Sequence, residues 1–158
     1  MAYDRAMIFV EATVAEQTAY ANTDRLKTVG STVYLSFPMR YVAKNGVHIN
    51  PHVREEIKAY RDENTRKLTR VTASGTKTSI SMDIMGGRNN AEKKEIIAWF
   101  TAHEIDSQQR KVTLLYYDAD YDNYGTGTFY RADTEYTILT TTANDIIWDA
   151  FTIDLVEY

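Results

Sequence analysis

The alternation of apolar and polar positions divides the chain into short strands with one clear helix among them. The densest strand signal runs from Arg110 to Ala132, RKVTLLYYDADYDNYGTGTFYRA. After its lysine, Lys111 to Tyr117 is wholly β-branched, aliphatic or aromatic, the composition a buried pleated surface accepts. Thr126 to Arg131 is equally strand-prone. Between them DADYDNYG supplies Asp, Asn and Gly, which bond their own backbone or tolerate left-handed φ and so make a turn. The two arms are predicted to pair antiparallel as a central hairpin against which the other segments pack.

Taken in order, Met7 to Val10 reads as a short strand or a helix start. Glu11 to Lys27 carries a weak helical stripe at Val14, Ala15, Ala19 and Leu26. Thr32 to Phe37 alternates cleanly, with Val33, Leu35 and Phe37 on one face, and Pro38 then removes a ladder donor, implying an edge or a bulge. MRYVA and VHI read as two strands joined by a tight turn at Asn45-Gly46, the dipeptide that best accepts two positive φ values. In the charged stretch from Pro51 to Arg66, Val53, Ile57 and Tyr60 are spaced for a short helix following Pro51; the alternative is an extended, mobile polar arm. Lys67 to Ala73 and Thr76 to Met85 are predicted to form a hairpin around Ser74-Gly75, with Thr78, Ile80, Met82 and Ile84 facing the core. The helix is placed at about 91–103: Asn89 is a candidate N-cap, Glu92 completes a capping box, and Ile96, Ile97, Trp99 and Phe100 follow at helical spacing. Glu135 to Thr141 and Ile146 to Val156 supply two further strands, Ile147, Phe151, Ile153 and Leu155 marking the core face of the last. The fold class is mainly β: an antiparallel β-sandwich or partly open barrel with one flanking α-helix, built as a single domain over 1–158.

Composition narrows the function more than the fold. There is no cysteine among the 158 residues, so disulfide frameworks, thiolate metal sites and cysteine nucleophiles are excluded together. No long apolar run is present, so neither membrane insertion nor a secretory leader is expected. The net charge of −4 argues against nucleic acid as a ligand bound over the whole surface, and no sequence-specific nucleic-acid partner is expected. That average hides an asymmetry. Arg54, Lys58, Arg61, Arg66, Lys67, Arg70 and Lys77 are crowded into one stretch with few acids, whereas from Asp118 to Tyr158 Arg131 is the only Lys or Arg among many carboxylates. Either these are two solvated faces, or they are complementary surfaces through which copies associate head to tail.

The sharpest candidate for chemistry is Asp118-x-Asp120-x-Asp122-Asn123, which begins like a Ca²⁺ loop. An EF-hand needs glycine next and a glutamate at the twelfth position, where this chain has Asn123 and Phe129, and its flanks are strands. Asp118, Asp120 and Asp122 thus remain a weak candidate cation set beside the simpler reading of an acidic turn. His48 and His52 bracket a short Ile-Asn-Pro segment without an evident third zinc ligand, and His103 near the helix C-terminus is placed to interact with the helix dipole. No nucleophile elbow or phosphate-binding glycine loop is present. The expectation is a protein that is not an enzyme and needs no cofactor.

From about 50 to 158 the chain resembles small structural proteins of tailed-bacteriophage tails. The residues that carry the resemblance are a polar arm followed by RVTASGTKTSISMDI, the helix EKKEIIAWFTA, then VTLLYYDADYDNYGTGTFYRAD and the closing AFTIDLVEY. The resemblance implies a tail-tube-like sandwich whose copies form a homo-oligomeric ring around the tail axis as a tube, adaptor or baseplate component. It implies a virion protein, made in the host cytoplasm, with other tail proteins as partners. Arg54, Lys58, Arg61, Arg66, Lys67 and Arg70 against Asp118, Asp120 and Asp122 are the inter-subunit contacts this assembly would use, and an acidic surface lining the channel would let DNA pass without sticking. A carbohydrate- or receptor-binding β-sandwich is the alternative, motivated by Tyr116, Tyr117, Tyr121, Tyr124 and Tyr130 around one acidic loop.

Overall fold

The computed structural model describes residues 2–54, 56–72 and 75–158, with the backbone alone at 56–59 and 69–72. β1 (Ile8–Glu11), the short helix α1 (Val14–Ala19), β2 (Leu26–Val29) and β3 (Thr32–Ser36) lead through a 3₁₀ turn at Met39–Tyr41 into the long β4 (Val42–Val53). β5 (Glu56–Arg61), β6 (Leu68–Thr72) and β7 (Lys77–Ile84) precede the main helix α2 (Asn90–Thr101). The central hairpin follows as β8 (Lys111–Asp118) and β9 (Asn123–Arg131), and the chain closes with β10 (Ile138–Thr141), β11 (Ile146–Trp148) and β12 (Phe151–Glu157).

Eight strands form one antiparallel sheet in the order β2-β3-β1-β8-β9-β12-β7-β4, curled into a half-barrel, while β5-β6 and β10-β11 pair separately. Of the two architectures the sequence left open, the partly open barrel is the one found. β8 and β9 stand in the middle of the sheet, with register Lys111 opposite Tyr130 through Asp118 opposite Asn123, so the central hairpin is as expected. β7 also behaves as its pattern predicts: Thr78, Ile80, Met82 and Ile84 are all buried. They share the core with Ile8, Val10, Leu114, Phe129, Ile153 and Leu155, and α2 contributes Ile96, Trp99 and Phe100 to it. Asn89 and Glu92 make the reciprocal capping box that starts α2. Burial of each such large apolar side chain stabilises the fold by about 1.5–3 kcal/mol.

The unbroken apolar runs of β1 and β8 are explained by burial on both faces. Phe9 and Leu115 point away from the main core and, with Ala6, form a second cluster covered by Val29, Tyr34, Met39 and Tyr124.

Four expectations are corrected, and one pair of alternatives is decided. Asn45-Gly46 is not a hairpin turn; it lies inside β4, where Val42 pairs with Ile84 and Val47 with Met82, so the extra residues bulge out of the ladder. Asn45 takes the left-handed conformation at φ 60°, but Gly46 does not, and a type I′ turn needs both. Of the two readings of Pro51–Arg66, the extended one is found and the helix is not: Pro51–Val53 end β4, and β5 pairs with β6, from Glu56 opposite Thr72 to Arg61 opposite Leu68. That pairing also displaces the expected partnership of 67–73 with 76–85, since β7 pairs with β4 and β12 instead; Ala73 and Ser74 of the proposed turn lie outside the described residues. β4–β7 and β5–β6 are consecutive parts of one long hairpin. Its tip is at 62–67, where the Asp62 carboxylate accepts from the backbone N–H of Asn64 and Thr65 at 2.8 Å each. The last strand is broken at Asp149-Ala150 into β11 and β12. Finally, the stripe at 14–26 is only partly helical: α1 has a Thr13/Glu16 capping box but buries nothing, and Leu26 belongs to β2.

Candidate functional site

Two neighbouring features hold the charged residues singled out from the sequence: the arm formed by β5, β6 and their tip, and the acidic turn at 118–123. On the arm, Arg54, Arg61, Arg66 and Lys67 are exposed, as are the large apolar side chains of Tyr60 and Leu68. The side chains of Lys58 and Arg70 lie outside the described set, although their backbones pair within the β5–β6 ladder. The tip is held by the Asp62 turn, by a bond from Asp62 N–H to the Lys67 carbonyl at 2.9 Å, and by Arg61, which donates from Nη1 to the Arg66 carbonyl at 2.7 Å. Arg66 is left-handed at φ 62°, as the reversal requires. The N–H donors of Thr65 and Asn64 hold the Asp62 carboxyl below its ordinary value.

The acidic turn is not a ring of three aspartates. Asp118 is turned inward and buried, while Asp120 and Asp122 are exposed. One oxygen of Asp118 accepts from the Asp120 N–H at 2.9 Å and the other receives the His52 Nε2 at 2.5 Å. Asp122, left-handed at φ 47°, accepts instead from the Tyr117 hydroxyl at 3.1 Å. Asp118 is therefore engaged within its own chain, and Asp120 and Asp122 are the carboxylates this turn offers outward. His52, Asp118 and Asp120 bring three ligand-type atoms within 4.8 Å of one another. The set that could hold a cation is accordingly this trio and not Asp118, Asp120 and Asp122.

His52 reaches the turn because β4 bulges a second time. Asn50 pairs with Ser79 but Val53 with Lys77, and within that shift His52 adopts φ 51°. Its N–H donates to the buried Thr78 hydroxyl at 3.3 Å, and its ring lies edge-on to Tyr121 at 5.7 Å between centroids. The hydrogen bond to Asp118 raises the pKa of the imidazole, burial opposes this, and the charges of Asp118, Asp120 and Glu157 add to the rise. Sequence reading set His52 beside His48 because they are near in the chain. In the fold His48 lies 3.5 Å from Asp83, and nothing local announces an Asp118 partner 66 residues away.

The other titratable groups are occupied structurally. His103 lies between two acceptors, with Nδ1 2.7 Å from the Trp99 carbonyl and Nε2 2.7 Å from the Glu16 carboxylate, so it stands at the C-terminal end of α2 and ties α1 to it. Burial works to raise the Glu16 pKa, but the Thr13 N–H and His103 bonds outweigh it and the net direction is down. The tyrosines near the turn do not form one exposed platform. Tyr116 is buried against Phe129, Tyr124 donates to the Ala6 carbonyl, Tyr130 packs on Tyr158, and Tyr121 stands out at 75 % exposed.

A family model matches residues 26–158 and describes a family of unknown function, DUF6711. The chain belongs to that family. The DUF6711 match begins at β2 and takes in the arm, His52 and the acidic turn, while β1 and α1 precede it. No curated protein matches the chain in sequence. Among solved structures, the chain is similar to one from the tail of an empty GTA particle, determined with helical refinement and C6 symmetry. The two are 8 % identical, the alignment covers 97 % of this chain and 90 % of the other, and the TM-score is 0.47. No helix among the described residues is long and apolar enough to cross a membrane.

Proposed function

We propose that the protein is a non-catalytic structural component of a phage virion tail, a tube, adaptor or baseplate ring, and that its copies associate around the tail axis. The observation that carries this reading is the arm. β5 and β6 form a two-stranded sheet of their own, and a two-stranded hairpin in water is marginally stable at best. This one exposes Arg61, Arg66, Lys67, Tyr60 and Leu68, the mixture of cations and amphipathic bulk that a neighbouring surface would cover. Asp120 and Asp122 are exposed with the opposite charge, so a heterologous contact between arm and turn of successive copies is electrostatically matched. The sequence resemblance to tail proteins points the same way.

Light scattering on the purified protein at low and high salt tests the proposal. A multimer whose mass falls as salt rises is expected, because exposed charge contacts are screened within about 10 Å at 0.1 M. A strict monomer at every concentration and salt would remove self-association from the reading.

A further inference from the structure

In the sheet order, β4 is an edge strand and β8 is four places away, with β9, β12 and β7 between them. The curl of the sheet nevertheless brings their ends together, and the second bulge of β4 takes His52 out of the ladder, so that its Nε2 meets the Asp118 carboxylate. Asp120 follows two positions on; its backbone N–H donates to Asp118, and its own side chain is exposed. One imidazole nitrogen and two carboxylate oxygens therefore converge within 4.8 Å of one another. The donors come from two strands far apart in the chain, which makes this a mixed nitrogen and oxygen set and not a run of neighbouring acids.

The charge around these atoms is unbalanced. Glu157 acts electrostatically on the His52 ring from β12, while its carboxylate accepts the Thr78 N–H at 2.9 Å. Among the described residues no lysine or arginine forms an ion pair with Asp118, Asp120 or Glu157, so three carboxylates act on a single imidazole. Asp118 is also buried, and a buried carboxylate needs a compensating cation.

We propose that His52, Asp118 and Asp120 form a site for a divalent transition-metal ion of the zinc type, with water completing its coordination. The imidazole decides the class of ion. Ca²⁺ and Mg²⁺ take sets of oxygen ligands, whereas Zn²⁺ combines histidine nitrogen with carboxylate oxygen. Asp122 takes no part, since its carboxylate accepts from the Tyr117 hydroxyl. The ion would stand between the His52 ring and the Asp118 carboxylate and draw in the exposed Asp120 side chain, with the Tyr121 ring flanking the histidine. β5 begins just beyond His52, so the ion would cross-link the root of the arm to the turn of the central hairpin, independent of what the arm binds.

The test uses the full chain, dialysed against a chelator and titrated calorimetrically with Zn²⁺, Ca²⁺ and Mg²⁺ in turn. Zn²⁺ is expected to bind as a single ion per chain, with Ca²⁺ and Mg²⁺ weaker by roughly tenfold or more. In imidazole NMR spectra the His52 signals should move with added Zn²⁺ while those of His48 and His103 stay in place. His52→Gln and Asp120→Asn should each weaken Zn²⁺ binding by about tenfold or more. Asp120→Asn leaves the turn intact, because the bond Asp120 gives to Asp118 comes from its backbone N–H. His48→Gln and Asp122→Asn should bind Zn²⁺ as the natural sequence does. No Zn²⁺ binding at about 1 mM, binding unchanged in either His52→Gln or Asp120→Asn, or binding lost in His48→Gln would overturn the site. Tighter binding of Ca²⁺ than of Zn²⁺ would overturn the class of ion.

Discussion

A β-carbon built on Gly46 would lie 2.8 Å from the Ala43 carbonyl oxygen and 3.0 Å from that of Asp83. Both are backbone atoms, so relief requires β4 to move off β7. Gly46→Ala is expected to lower stability by about 1–3 kcal/mol, the usual cost of overpacking, read as a lower denaturant midpoint at unchanged slope. Gly75 is the control: a β-carbon there meets nothing within 4 Å and its φ is not positive, so Gly75→Ala should leave stability within about 1 kcal/mol. At this scale the sequence was half informative. Asn-Gly announced an unusual backbone, and Asn45 has one, but whether it turns the chain back or bulges it depends on what lies alongside. That is β7, beginning some thirty positions later, and no local signal carries it. His52 shows the same limit. Its residue type and the acidity of 118–122 were visible separately, while their meeting is made by the curl of the sheet.

Elements were readable where one periodicity fitted and misread where two did. For α2, caps and apolar spacing agreed, and Asn89 does accept the Glu92 N–H at 2.9 Å. Asn89→Ala is therefore expected to cost about 1 kcal/mol, measured by the same unfolding experiment. At 53–60, Val53, Ile57 and Tyr60 suit a narrow helical stripe, but the partner LTRVT supplies β-branched residues to a ladder. Cross-strand pairing then outweighs a weak local preference. α1 is another kind of case: its capping box formed as a helix start should, yet nothing on it is buried, and what docks it is Glu16 on His103. Because the Glu16 pKa is lowered in the fold, this docking is present above the ordinary value of 4.5 and lost as pH falls through the lowered one. Glu16→Gln should abolish that acid-dependent step and raise amide exchange over 14–19 at neutral pH.

For the whole molecule, strand faces followed from alternation, but strand order did not. β12 enters between β9 and β7, joining the central hairpin to the long one, and this insertion makes one curled sheet where a sandwich of two was equally compatible with the pattern. The half-barrel leaves two free edges, β2 and β4, with the arm rising from the second. The assembly reading can be tested there without disturbing the fold. The hydrogen bonds described for Arg66 and Lys67 are made by backbone groups: Arg66 N–H to the Asp62 carbonyl, Lys67 N–H to the Thr65 hydroxyl, and their own carbonyls to Arg61 and Asp62. Glutamate at both positions keeps those bonds, so monomer stability should change by less than about 0.5 kcal/mol. If the arm meets the acidic turn of a neighbour, Arg66→Glu with Lys67→Glu should shift the scattering mass toward monomer. Adding Asp120→Lys and Asp122→Lys to the same chain should restore association, since both partners are then reversed together. Recovery in the fourfold variant distinguishes a specific charge contact from a general effect of net charge: the double reversal alone makes the chain more negative, and the compensating pair returns it to the starting value. A double variant that still assembles at low salt would show that the arm's cations take no part in the contact.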